Sequence, residues 1–192
     1  MNKKLLDRQM KQLETAEAMV QQFRIDTRGF FAEPSVQESL LFALTEIGEA
    51  IDAQLRTDDR FARNNSRNIS VVDELTDVLF MLASAWIQIK PSEDFDIEEC
   101  AEEIQLNYNT DFFLVQLMYD TATMYQSCEH AYVYPKQSTD HMNYAKLSIG
   151  EAMLQVMDIL DSSFNSTTQG ITWEQHLHKR LNDLINKHGA EL

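Results

Sequence analysis

The chain has 192 residues, 44% of them hydrophobic, with only 5 Gly and 3 Pro; this size suits one domain, and the composition suits helices rather than an all-β fold. Its formal charge of −15 (16 Lys and Arg against 31 Asp and Glu) excludes a basic surface for nucleic acid or an anionic membrane, and admits an anionic small molecule only if metal ions carry the attraction. No apolar run approaches membrane-spanning length, residues 1–20 hold no signal-like apolar core, and Cys100 and Cys128 lack CxxC spacing, so the expectation is a soluble, cytoplasmic protein with reduced thiols.

Leu5, Leu6, Met10, Leu13, Ala16, Val20 and Phe23 fall near helical spacing, which predicts an amphipathic helix from Met1 to Arg24. Ile25–Glu33 is a connection broken at Gly29. Pro34 suits the first turn of a second helix running to about Arg56, followed by a polar loop that carries Arg60, Arg63 and Arg67. Ser70-Val-Val-Asp73 has the spacing of a capping box and opens a third helix that ends before Pro91. Asp96 caps a short fourth helix through about Asn107. Asn109 or Thr110 starts a fifth to about His130, and a loop with Pro135 follows. Asp140 caps a sixth helix to about Phe164, and Thr172-Trp-Glu-Gln175 opens the last, which Gly189 stops. The expected fold is all-α, a single antiparallel helical bundle over 1–192: a leading helix and loop (1–33), a first half (34–108) and a second half (109–192).

The two halves resemble each other under a shift of 74 residues. Leu40, Leu41, Ala43 and Leu44 then fall on Leu114, Val115, Leu117 and Met118, and Leu75, Val78, Leu79, Phe80 and Leu82 fall on Ile149, Ala152, Met153, Leu154 and Val156. The acids change: Glu46 meets Asp120, Glu49 meets Thr123, Glu74 meets Ser148 and Asp77 meets Glu151. A tandem repeat with a degenerate second half fits this pattern. So does the periodicity that any two amphipathic helix pairs share.

Two carboxylate pairs stand in the most apolar of these helices. Glu46 and Glu49 lie in LLFALTEIGEAI, and Glu74 and Asp77 lie in VVDELTDVLFML. Residues three apart share a helix face, and two carboxylates about 6 Å apart repel by roughly 3 kcal/mol at an effective dielectric of about 20. Antiparallel packing of the second and third helices would bring all four acids together around a hard divalent cation, Mg²⁺ or alternatively Mn²⁺. Glu14/Glu17 and Glu99/Glu102 have the same spacing in polar surroundings and read as solvated faces.

The sequence LTEIGEAID followed by DELTDVLF resembles the signature of the all-α nucleoside triphosphate pyrophosphohydrolases, the MazG-like and dimeric dUTPase-like superfamily: ExxE on one helix, a variable loop, then ExxD. The likeness covers Val36 to about Trp86. It implies Mg²⁺-dependent hydrolysis of a nucleoside triphosphate to the monophosphate and pyrophosphate, in the service of cleaning the nucleotide pool. Glu46, Glu49, Glu74 and Asp77 would be the metal ligands, Glu46 also the general base, and the assembly a homodimer or larger oligomer. Two departures stand out. Thr45 occupies a place where many relatives have another acid, and the segment Glu98–Asn107 lacks the Lys and Arg that hold phosphates in MazG-like relatives. Candidates for that task are Lys179 and Arg180 of the last helix, with Arg56, the loop arginines and Lys146 as alternatives; Asn107 or Asn182 could read a base edge. Phe30, Phe31, Trp86 and Tyr108 are candidates for stacking on a base. A di-iron bundle needs Glu-x-x-His pairs, which the chain lacks. The competing reading is a catalytically silent helical interaction module derived from the same family.

Overall fold

The stretch Val71–Gln88 is apolar on nearly every side, and in a computed structural model of the chain it forms the helix against which most of the others pack. The structure describes residues 3–27, 33–57, 70–89, 113–165 and 171–189. Among these there are six α-helices and no strand: α1 (Lys3–Asp26), α2 (Val36–Thr57), α3 (Val71–Gln88), α4 (Phe113–Val133), α5 (Ser138–Asn165) and α6 (Trp173–Gly189). The helix expected at Asp96–Asn107, the base-stacking candidates Phe30, Phe31 and Tyr108, and the loop arginines lie outside the described residues. No helix of the described residues is long and apolar enough to cross a membrane.

The ends of the helices follow local chemistry. Ser35, rather than Pro34, heads α2: its N–H and Oγ donate to the Glu38 carboxylate at 2.7 and 2.8 Å, and Glu38 N–H returns a bond to Ser35 Oγ at 3.2 Å. The box expected at Thr172–Gln175 forms, with Thr172 N–H on Gln175 Oε1 at 2.9 Å and Gln175 N–H on Thr172 Oγ1 at 3.4 Å. The box expected at Ser70 does not form. Ser70 has the extended backbone of an N-cap, but its hydroxyl makes no capping bond. Between α4 and α5 the expected loop shrinks to one 3₁₀ turn, Pro135–Gln137, so α5 begins at Ser138 rather than Asp140. Proline fixes φ and costs nothing in a first turn, where its missing N–H would have no partner.

Helices α2 and α3 run antiparallel: Gln88 at the end of α3 donates to the carbonyl of Pro34 just before α2, and Glu46 in mid-α2 reaches Glu74 and Asp77 near the start of α3. The α4–α5 pair has the same sense, since His130 meets His141 near the turn and Gln116 shares a cavity with Gln155 farther out. Helix α6 lies along α3 in parallel, with His176 facing Asp73 and Arg180 facing Asp77. Its start is held by Asp161 of α5, whose carboxylate accepts the Trp173 N–H at 2.9 Å. The core is continuous, from Leu40, Ala43 and Ile47 of α2 through Val78, Leu79 and Leu82 of α3 to Ile149, Met153 and Met157 of α5. Each of the larger of these side chains contributes roughly 1.5–3 kcal/mol by leaving water.

Three distant helices meet at Trp86. Its indole N–H donates to Glu17 of α1 at 2.9 Å, and Lys146 of α5 places its ammonium 3.7 Å from the ring centroid while bonding the Trp86 carbonyl at 2.5 Å. Gly150 makes room for the ring. A Cβ there would lie 2.8 Å from Trp86 Cζ3, and the ring, held on both sides, has nowhere to go. At Gly48, in the middle of α2, a Cβ meets nothing within 4 Å. The two glycines should therefore respond oppositely to alanine. Gly48→Ala is expected to stabilise the protein by roughly 0.5–1 kcal/mol, the helix-propensity gain. Gly150→Ala is expected to destabilise it by roughly 1–3 kcal/mol through overpacking, which outweighs the same gain. Thermal melts of the two variants check both signs.

Candidate functional site

On α2 the inward stripe is Leu40, Ala43, Ile47 and Ala50, all fully buried, and Glu46 stands at its edge. On α3 the first two turns bury Leu75, Val78 and Leu79, and they present Glu74 and Asp77 toward α2. Carboxylate oxygens of Glu46, Glu74 and Asp77 all lie within 4.8 Å of one another. Three of the four expected acids thus converge. Glu49 is exposed one turn farther on and acts on the cluster through its charge alone. Thr45 is exposed too, and its hydroxyl donates to the Leu41 carbonyl of its own helix at 3.1 Å.

The surplus of negative charge is visible in the protonation of the cluster. Burial first, then the hydrogen bond and charge of Glu46 and the charges of Asp77 and Glu49, push the Glu74 carboxyl up to about 7. Burial and the charges of Asp77 and Glu49 raise Glu46 as well, against the hydrogen bond it accepts from Glu74 and the positive field of Arg180. Both groups keep a proton to higher pH in the folded chain than an ordinary carboxyl near 4.5 does. Folding therefore takes up protons: their contribution to stability is complete below about 4.5 and is lost as pH rises through about 7. Without divalent ions, the melting temperature is expected to fall when pH is raised from about 5.5 to about 8. Saturating Mg²⁺ should remove most of that fall. A metal-free melting temperature that stays flat across this interval would contradict the cluster's repulsion.

Arg180 of α6 completes the group. Its Nε and Nη2 donate to Asp77 Oδ1 and Oδ2 at 2.6 and 2.5 Å, a bidentate pair in which the Asp77 side chain is 11% exposed. The other substrate-binding candidates fall elsewhere. Lys179, next door, is exposed; Asn182 is exposed and shares a hydrogen bond with His178 Nδ1 at 3.0 Å; Arg56 pairs with Asp52 on its own helix. A sequence signal for Arg180 did exist. The inward positions Trp173, Leu177 and Leu181 put residue 180 on the flank facing α3 and residue 179 toward solvent.

Glu46 and Asp77 of the cluster line a cavity of about 630 Å³, a volume in the range of small-molecule and cofactor sites, and Glu74 lies beside them outside its wall. Phe23 of α1, Phe42 of α2 and Phe80, Met81 and Leu184 supply its apolar wall, and Arg24 and Arg180 supply positive charge. Phe23 and Phe80 stand edge to face, with centroids 5.3 Å apart. Trp86 belongs to the core rather than to this wall, and Lys146 is engaged with it. The donor set suits a hard divalent cation: oxygen only, two carboxyls competing for a proton, and a second lone pair on each Asp77 oxygen beyond those that Arg180 occupies. No family model, no curated protein and no solved structure matches the chain.

Proposed function

We propose that the protein is a Mg²⁺-dependent nucleoside triphosphate pyrophosphohydrolase, converting a (d)NTP and water to the (d)NMP and pyrophosphate. The observation that carries this reading is the convergence of Glu46, Glu74 and Asp77, two of which, Glu46 and Asp77, line an aromatic-walled cavity of nucleotide size. The motif likeness at LTEIGEAID and DELTDVLF points the same way. Glu46, Glu74 and Asp77 would hold the cation, with Glu49 supplying outer negative charge. When bound, Mg²⁺ supplies neutralisation of the phosphate oxygens and polarisation of phosphorus toward attack.

The chain's own residues do the rest. Phe42 and the Phe23–Phe80 pair offer apolar faces to a base, and Arg24 and Arg180 offer donors to phosphate oxygens. Water attacks the α-phosphorus, and its proton passes to a carboxylate while the bond to the β-phosphate oxygen breaks and releases pyrophosphate. Glu46 is the acceptor we favour, because it lines the cavity beside Asp77 and burial raises its carboxyl above the ordinary carboxylate range.

A second reading draws on Arg180 itself. Because a protein cation already neutralises Asp77, the cluster serves equally as a structural ion network in a silent interaction module. Pyrophosphate release from a panel of NTPs and dNTPs with Mg²⁺ separates the two. The expected result is release of pyrophosphate and monophosphate in equal amounts, abolished by a chelator. No release from any nucleotide would leave the silent module standing.

A further inference from the structure

The α4–α5 pair encloses a second, smaller cavity of about 320 Å³. Its polar wall is Gln116, Asp120, Tyr144, Ser148, Glu151 and Gln155, with no Lys, Arg or His among the lining residues. Asp120 accepts a hydrogen bond from Gln116 Nε2 at 2.8 Å. The Glu151 carboxyl is raised by burial and by the charge of Asp120 across the cavity. Gln155 is only 6% exposed, and its Oε1 is buried with no hydrogen-bond partner. An oxygen left so is unfavourable, and a ligand taken up by the cavity that Gln155 lines would answer it.

The position of this cavity in the fold matters as much as its chemistry. The 74-residue shift that aligns the apolar positions of the two halves carries Glu46, Glu74 and Asp77 onto Asp120, Ser148 and Glu151. All three of those residues line this one cavity, between two antiparallel helices arranged as α2 and α3 are. Two carboxyls, a hydroxyl and an amide oxygen with no side-chain cation call for a ligand that is positively charged and prefers oxygen. That describes Mg²⁺, Mn²⁺ or Ca²⁺. The volume exceeds that of a bare ion, so the ion keeps part of its water shell.

We infer that the α4–α5 cavity is a second divalent-cation site, with Asp120, Glu151 and the Gln155 amide oxygen as its protein ligands. Ser148 replaces the third acid of the first half, and no arginine stands at the wall to receive a phosphate. The site therefore binds cation without nucleotide and ties α4 to α5. It stands independently of the activity proposed for the first site.

Mn²⁺ titration of the full chain, followed by electron paramagnetic resonance of the free ion, tests it. The Glu46→Gln/Asp77→Asn double variant is expected to keep bound Mn²⁺. Adding Glu151→Gln should remove that remainder, and adding Gln155→Leu should weaken it at least about tenfold, the scale of losing one supporting ligand. Gln155→Leu removes a buried amide oxygen that lacks a partner, so its metal-free melting temperature is expected to hold or rise; that separates loss of the site from loss of the fold. A double variant that binds no Mn²⁺, or a Glu151→Gln chain that binds as before, overturns the second site. Wild type and double variant binding alike, with Glu151→Gln abolishing both, would overturn the first site and leave the second intact.

Discussion

Asp77→Ala is expected to lower pyrophosphate release by roughly 10²–10³-fold or more, the scale of deleting one preorganised electrostatic partner from an active site. The residue is asked for two things at once: a ligand oxygen beside Glu46 and Glu74, and the seat that holds Arg180 in the cavity wall. Stability should move much less than activity. The substitution gives up a bidentate pair, but Arg180 is partly exposed and can return to water. It also lifts one of the charges that raise Glu46 and Glu74. Melts with and without Mg²⁺ complete the experiment, since the rise that Mg²⁺ gives the wild type should shrink or vanish in the variant. Wild-type rates in Asp77→Ala would remove this carboxylate from the chemistry altogether.

Arg180→Met carries the second large effect, and it runs in the opposite order. Here Asp77 loses the cation that pairs with it among the described residues. Removing one partner of a well-buried pair costs about 3–5 kcal/mol. Because the Arg180 side chain is 39% exposed and water screens the pair, we expect about 1–3 kcal/mol for the metal-free protein. Mg²⁺ should recover more stability in this variant than in the wild type, because the ion then does all of the neutralising. Toward nucleotide, KM is expected to rise roughly 10- to 100-fold, the loss of a charge-assisted contact of about 1.5–3 kcal/mol. Arg180→Lys should restore part of the stability and less of the affinity, since an ammonium cannot span two oxygens as a guanidinium does. Unchanged KM in Arg180→Met would assign the arginine to Asp77 alone.

Hydrophobic period was enough to read the helical class, the order of the elements and the two helices that carry the acids, because Leu40–Ala43–Ile47 and Leu75–Val78–Leu82 are strongly patterned. The spacing of the acids was readable only in part. Three residues advance a helix by about 300°, so Glu49 is turned about 60° farther from the buried stripe of α2 than Glu46 and falls to solvent. The Asp77–Arg180 pair joins residues 103 positions apart, and no local signal states that partnership. What was local in α6 was only the facing of residue 180 toward α3. One stacking candidate, Trp86, lies in the core, where its ring fills the space beside Gly150, while the cavity wall is built by Phe23 and Phe80, which meet across two helices far apart in sequence. The cap at Ser35 was fully legible as S-x-x-E and was overshadowed by the neighbouring proline.

The Trp86 junction also sets a timetable for synthesis. α1 leaves the ribosome first, yet Glu17 has no indole to hold until residue 86 has emerged, and the junction is closed only when Lys146 arrives. At roughly 5–20 residues per second, the junction stays open for on the order of 6–25 s between the completion of α1 and that arrival.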